Sequence, residues 1–381
     1  MSRRIYLDYN AGAPLDGRVR AAMASVLGEQ PGNPSSVHAF GREARVLLEE
    51  ARAKVAGLLG AADKDEVVFV SGGTEADNLA VLGVALARAD QGRHVITSAV
   101  EHPAVLAAAA ALEKGGFTLT VLPVDGEGCL DPADLARAIR PDTVLVSLMH
   151  ANNETGVLFD LPALAAVARA AGVPVHTDAV QSLGKVPVRV CDLGVDLLSL
   201  SGHKIGGPAG SGALYVRTGV RLLPRHLGGS QERERRAGTE NLAAAVGLAA
   251  AAELALLERE AEAARLRALR DGLEARLTER IPGVVVNGGG APRLPQTSNL
   301  AFPGLEAEEL LVALDLAGFA CSAGAACSAG ALEPSHVLTA MGLPPERVRG
   351  SIRVSLGRGT TAEEVDRLGE ALPALVARGR G

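Results

Sequence analysis

Cys327 stands in a run of small residues, ACSAGAACSAGA over 320–331, that offers nothing bulky enough to bury a thiol. Glycine and serine in this density predict an exposed, mobile loop. A cysteine presented in that way can act as a nucleophile, because a reactive thiol must be reachable and partly ionised. The bland reading is that cysteine is a small core residue. Three further groups could make the chemistry that such a thiol would serve. The run 68–76 reads as a strand that turns through Gly72, Gly73 and Thr74 into a helix, placing amides where an anion could bind. Asp178 follows an apolar run at 173–177, and Lys204 follows another at 196–200, beside Ser201 and His203.

Taken singly, each group has an ordinary explanation: a glycine turn before a helix, an N-cap aspartate, a solvated lysine. Together they put a phosphate cradle, a carboxylate and an amine on the carboxyl ends of strands, where open α/β sheets bind ligands. That combination suits pyridoxal phosphate: lysine for a Schiff base, aspartate to hold the pyridine nitrogen protonated, amides and hydroxyls for the phosphate. Two other features carry less. The glycine-rich run 206–212 lacks the Gly-Lys-Ser/Thr ending of a P-loop. The eight histidines show no metal-ligand spacing.

The elements that must position these groups follow from the hydrophobic pattern. Short apolar runs at 66–70, 94–98, 118–123, 143–148, 173–177, 196–200 and 212–216 alternate with helical patterns at 75–88, 103–114, 132–139 and 161–171. Alternation of this kind predicts βαβ units around a mainly parallel sheet. No helix separates the last two runs, which predicts one antiparallel edge. From 242 to 280 the pattern is continuously helical, and its Glu/Arg pairs read as a solvated face with i,i+4 pairing. Pro282, Gly283 and Gly288 to Gly290 mark a break. Runs at 299–302, 307–317, 335–341, 351–356 and 362–377 then predict a smaller α/β unit.

Composition narrows the class. The chain has 381 residues, enough for two domains, with 48% hydrophobic and 22% charged residues. Aromatics make up 2%, tryptophan is absent and the formal net charge is -6, which argues against a nucleic-acid binder. Four cysteines give no disulfide framework and no Cys-x-x-Cys pair, which points to a reducing compartment. No signal-peptide core fits the N-terminus, and the alanine-rich stretch 242–252 is too short to span a bilayer. The expectation is a cytoplasmic enzyme with no membrane and no direct nucleic-acid partner.

The chain resembles the cysteine desulfurases of the nitrogenase and iron–sulfur-assembly type, in the class-V aminotransferase-like family of fold-type-I pyridoxal-phosphate enzymes. The resemblance runs through YLDYN (6–10), GNPSSVH (32–38), SGGTEADN (71–78), EHP (101–103), MHANNE (149–154), HTDAVQ (176–181), SGHK (201–204), RAGTEN (236–241), EPSHVL (333–338) and GSIRVSLGR (350–358). It implies an aspartate-aminotransferase-like α/β fold, whose large domain, 16–255, holds a mainly parallel seven-stranded sheet. Residues 1–15 and 256–381 would form a smaller α/β domain carrying the mobile cysteine loop, about 320–331.

The resemblance also implies roles. Lys204 forms the Schiff base with the cofactor and later moves the Cα proton. His102 stacks on the pyridine ring and assists proton transfer, and Asp178 pairs with the ring nitrogen. Asn153 and Gln181 lie near the ring hydroxyl and the Schiff base. Gly73, Thr74, Ser201 and His203 hold the phosphate, joined by Thr239 from the second subunit of a homodimer. Arg353, with Asn153 nearby, binds the substrate carboxylate. Cys327 takes sulfur from L-cysteine as a persulfide, leaving L-alanine, and passes it to an acceptor protein, an iron–sulfur scaffold or a tRNA-thiolation protein. A selenocysteine lyase or related β-lyase is the alternative within enzymes; a catalytically silent dimeric scaffold is the alternative outside them. The chain departs from the family pattern at Ala11, Gly12 and Ala13, where Ala-Thr-Thr is usual, and at Gly206 and Ala209, which replace a tyrosine and a lysine. Ser230 replaces a glycine, and Ala323 and Ala325 replace a threonine and a serine. Cys321 reads as a packing residue or as a resolving thiol.

Overall fold

The computed structural model of the protein describes residues 4–29, 32–323 and 334–380. Its strands are β1 (Ile5–Tyr6), β2 (Val67–Val70), β3 (His94–Ser98), β4 (Thr118–Leu122), β5 (Thr143–Ser147) and β6 (Val175–Asp178). They continue with β7 (Leu197–Ser201), β8 (Gly212–Val216), β9 (Val285–Val286), β10 (Thr297–Ala301), β11 (Phe319–Ala320) and β12 (Ser351–Ser355). Seven of them form the central sheet in the order β2-β8-β7-β6-β5-β3-β4. Pairing is parallel from β4 to β7 and antiparallel on both sides of β8. The expected antiparallel edge is therefore displaced: β8 sits one place inside, and β2 closes the sheet.

Alternation within the strands explains why helices cover both faces. Val67 and Phe69 of β2, with Ala213 and Tyr215 of β8, enter one core cluster, whereas Val68, Val70, Leu214 and Val216 enter another. Side chains point alternately up and down, so a strand apolar at every position must be buried on both sides. Only β4, at the far edge, is largely open to solvent.

A helix of 39 residues, Leu242–Arg280, links this core to a third cluster. Its alanine-rich first half packs beneath helices Gly17–Glu29 and Ala39–Leu59, while Leu266, Leu273 and Leu277 join Ile5, Leu7, Phe302 and Val376. Its charged face is tied differently from expectation. Glu262 and Arg265 pair within the helix at 2.8 Å, one residue closer than i,i+4, while Arg276 reaches Asp366 and Arg280 reaches Glu370 on helix Ala362–Gly379 at 2.6 Å each, so the face also ties two helices together. The smaller sheets are β12-β10-β9, all antiparallel, and the parallel pair β1-β11.

One segment near the central sheet holds strain. Glu232, Arg233 and Glu234 have φ of 47, 56 and 64° in succession, a conformation that L-residues other than glycine adopt at a cost. A buried ion pair over-determines it: Arg52 meets Glu232 at 2.6 and 2.9 Å, and the same carboxylate accepts from the Phe69 N–H at 2.9 Å. Glu234 is exposed and makes no such contact. Glu234→Gly is expected to stabilise the fold by about 0.5–1 kcal/mol, read as a higher urea midpoint. A lower midpoint would show that the Glu234 side chain, not its backbone, matters.

Candidate active site

The carboxyl ends of β2, β3, β5, β6 and β7 all point to one side of the sheet, and a cavity of about 370 Å³ opens there. Gly73, Thr74, His102, Asn153, Asp178, Gln181, Ser201, His203, Lys204 and Arg353 all line it. Those from Gly73 to Lys204 converge because the strands of the central sheet end on a common rim, and Arg353 reaches the cavity from β12 of the smaller sheet.

Each side chain is held by its local structure. Asp178 ends β6, is 9% exposed and accepts from the Val180 N–H at 2.8 Å. Burial pushes its carboxyl up, while His102 and Lys204 pull the other way. His102 caps helix Pro103–Lys114, its Nδ1 accepting from the Ala104 N–H at 3.1 Å, and burial pushes its imidazole down. Lys204 ends a short 3-10 turn after β7, and its Nζ donates to the carbonyls of Asn10 at 2.5 Å and Ala11 at 2.9 Å. Burial and the Arg353 charge push this amine down to about 8. Ser201 Oγ and His203 Nδ1 lie 2.8 Å apart. Burial, with Lys204 and Lys185 nearby, pushes His203 down to about 4, so its ring is neutral.

Pyridoxal phosphate can be tested against these residues directly. Helix Gly73–Ala87 starts at the cavity with no side-chain cap, leaving its first N–H groups without a side-chain acceptor. A Cβ added to Gly73 would meet Val180 Cγ2 at 2.8 Å, so the backbone there is bare by necessity. The amine of Lys204 and the carboxylate of Asp178 line the same cavity, and Arg353 carries a buried Nε without a partner among the described residues. Phosphate acceptor, pyridine partner and imine-forming amine are all present, so the donor set fits the group.

One expected residue is not brought in. Thr239 lines a separate recess with Ser71, Arg236 and Asn241. Cys327 lies outside the described residues. Cys321 is described; burial pushes its thiol up to about 12, and it packs with the Leu300 and Phe302 cluster. Gly206 has φ 80°, a left-handed conformation suited to glycine.

Sequence reasoning missed three contributors. Asn10, 1% exposed, gives its carbonyl to Lys204 and Gln181, and its Nδ2 donates to Thr297 Oγ1 at 2.9 Å and Asn153 O at 3.1 Å. Asp8 holds Arg353 at 2.7 Å. Asp77, buried next to Asp178, leaves Oδ1 without a hydrogen-bond partner among the described residues, and burial pushes its carboxyl well up. The motif YLDYN at 6–10 was the available signal for the first two, and Asp77, one helical turn after Thr74, was the signal for the third.

Among the described residues no cluster could hold a metal ion, and no helix is long and apolar enough to cross a membrane. The aminotransferase class-V family model matches residues 5–368. The chain is 49% identical over 378 residues to cysteine desulfurase IscS of Dictyoglomus turgidum, covering 99% of this chain and 96% of that one. It is 46% identical over 374 residues to cysteine desulfurase NifS of Azotobacter vinelandii, covering 98% and 93%. Among solved structures, a NifS-like protein superposes with a TM-score of 0.92 at 35% identity, covering 98% of this chain and 100% of the other. SspA in complex with cysteine matches with a TM-score of 0.82 at 35% identity, covering 92% and 98%. Likeness of this extent, on a strand-end site that already fits the cofactor, means that the chain belongs to the aminotransferase class-V family, in its cysteine desulfurase branch.

Proposed function

We propose that the protein is a pyridoxal-phosphate-dependent cysteine desulfurase that converts L-cysteine to L-alanine and passes the sulfur onward as a persulfide. The observation that carries this reading is the single cavity joining Lys204, Asp178, His102 and Arg353. Gly73, Thr74, Ser201 and His203 would hold the phosphate and Asp178 the pyridine nitrogen, and Lys204 would supply the amine for a Schiff base. When bound there, the cofactor supplies an electron sink that loosens bonds at the substrate Cα and then the Cβ–S bond.

The chain's own groups do the rest. Arg353 binds the substrate carboxylate and so fixes which Cα bond faces Lys204. Lys204, neutral above about pH 8, can take a proton from Cα and return it, with His102 as the second proton-handling group nearby. The Cys327 thiolate attacks the substrate sulfur: an S–S bond forms, the Cβ–S bond breaks, its electron pair stays on carbon, and protonation there yields alanine.

Wider features belong to the same proposal. Thr239 facing a separate recess supports a homodimer in which it serves the second subunit's site. Exposed Val37, Phe40 and Leu227 give such an interface apolar surface. The core clusters support a large unit of 16–255 and a small one of 1–15 with 256–381, with the exception of Val337, Leu338, Met341 and Val348, which pack into the large unit's core. The cysteine pattern supports a cytoplasmic location, and a persulfide carrier needs a sulfur-acceptor protein.

Incubation with L-cysteine, followed by alanine assay and peptide mass mapping, tests the reading. Alanine should form, with one added sulfur atom on Cys327, and Cys327→Ala should abolish sulfur transfer. Undiminished sulfide release by Cys327→Ala would favour the lyase alternatives.

A further inference from the structure

The chain on either side of residues 324–333 is described, and it is held in two different places. Before that stretch, Ser322 pairs with Arg353 of β12, the N–H of each donating to the carbonyl of the other. After it, Ser335 Oγ donates to Glu154 Oε2 at 2.5 Å, with both residues buried. The same hydroxyl oxygen accepts from the Leu338 N–H at 3.1 Å and so caps helix His336–Ala340. A hydroxyl both donates and accepts, so its contact with Glu154 survives whether or not that carboxyl carries a proton. His336 Nε2 donates to the Glu101 carbonyl at 3.0 Å. Val337 and Leu338 then enter a core cluster of the central sheet rather than that of the smaller unit.

These contacts hold the chain to the rim of the cavity rather than the rim to the chain. Glu101 directly precedes His102 and Glu154 directly follows Asn153, both of which line the cavity. Each acid is fixed without help from Ser335 or His336. Glu101 Oε1 accepts from Ser98 Oγ at 2.6 Å and from the Met149 N–H at 2.9 Å. The Glu154 N–H donates to Asn152 Oδ1 at 2.8 Å, and its carbonyl accepts from Asn299 Nδ2 at 3.3 Å. Loss of the Ser335 hydroxyl therefore leaves His102 and Asn153 in place, and Val337 and Leu338 keep the helix docked. It loosens the point from which the preceding chain sets out. Cys327 is five positions after Ser322 and eight before Ser335. At about 3.6 Å per residue, it lies no farther than about 18 Å from the one and about 29 Å from the other. A thiol tethered at both ends meets the cavity at a raised effective concentration, which falls when one tether slackens.

We propose that Ser335 is a positioning residue for sulfur transfer: through Glu154 it fixes the far end of the Cys327 stretch against the rim that carries Asn153 and His102. The proposal rests on the desulfurase reading, with Cys327 as the thiol that takes the sulfur. Two measurements on the full-length protein loaded with pyridoxal phosphate test it. Exchange of the L-alanine Cα hydrogen in deuterium oxide needs the cavity alone. Single-turnover gain of sulfur on Cys327 from L-cysteine, followed by mass, needs the thiol as well. In Ser335→Ala, exchange should stay within about twofold of wild type while sulfur gain slows about tenfold. Ser335→Thr, which keeps the hydroxyl, should restore the rate. Glu154→Ala removes the same bond but leaves the helix cap, and it should match Ser335→Ala. Sulfur gain at the wild-type rate in Ser335→Ala, or an equal fall in both measurements, overturns the proposal. If Ser335→Ala does not fold, Glu154→Ala decides by the same two outcomes. A wild-type protein that exchanges the L-alanine hydrogen but never gains sulfur on Cys327 would instead sink the desulfurase reading, and this proposal with it.

Discussion

Lys204→Ala is expected to lower alanine formation from L-cysteine by about 10³-fold or more, because in the proposed reaction one side chain supplies both covalent anchoring and proton transfer. No other lysine lines the cavity among the described residues, so no neighbour can take over. Two backbone carbonyls, of Asn10 and Ala11, hold the amine at the rim, and side-chain substitution cannot remove them. The same surroundings predict a pH dependence. Burial disfavours the ammonium form, and Arg353 adds to that, while Asp8 and Asp178 oppose it, leaving the amine at about 8. Lowered proton affinity makes the neutral amine available at lower pH than in a free lysine, whose midpoint is about 10.4. Recombination of cofactor-free protein with pyridoxal phosphate should therefore quicken as pH rises through about 8 and level off above it. A midpoint near that of free lysine would mean that the enclosure seen around Lys204 does not persist in solution. Small primary amines added to Lys204→Ala should restore part of the proton transfer, and failure to do so would confine the role of Lys204 to anchoring.

Some of this was legible in the chain because residue type itself carried the information. Strands His94–Ser98 and Gly212–Val216 are apolar runs bounded by turns, and helix Pro103–Lys114 begins with proline at its first position. Asp178 and Lys204 stood out as charged groups where apolar runs stop. Asn10 did not, since it acts on Lys204 through a carbonyl that every residue possesses. The place of β8 was hidden for a similar reason: strand pattern reports burial, and neighbour order depends on how β2 folds back. Helix Ala39–Leu59 was overlooked, although its buried Ala44, Leu48, Ala51, Val55 and Leu59 recur at helical spacing. Its buried Arg52 breaks the apolar pattern, and its buried partner, Glu232, lies 180 positions away.

Arg353→Ala should raise KM for L-cysteine by about 10²–10³-fold, the equivalent of losing charged hydrogen bonds together with their electrostatic match. The side chain is placed with unusual firmness. Its backbone pairs with Asn299 of β10 on one side and with Ser322 on the other. Its guanidinium is 4% exposed, one nitrogen donating to Asn153 O at 2.9 Å and another to Asp8 at 2.7 Å. Each of those terminal nitrogens carries a second N–H, so a donor remains for an incoming carboxylate, while Nε is buried without a partner among the described residues. Removing the guanidinium does more than delete that donor, because Asp8 then keeps a negative charge where the substrate's own carboxylate must sit. The double variant Asp8→Asn/Arg353→Ala should accordingly bind L-cysteine better than Arg353→Ala alone. Arg353→Lys keeps one charge but not the planar fork, and should still cost about tenfold in KM. In the proposed role Arg353 meets the carboxylate rather than the bonds that break, so kcat should fall less than KM rises. An unchanged KM with a collapsed kcat would place Arg353 among the proton-transfer groups and leave the carboxylate without its partner.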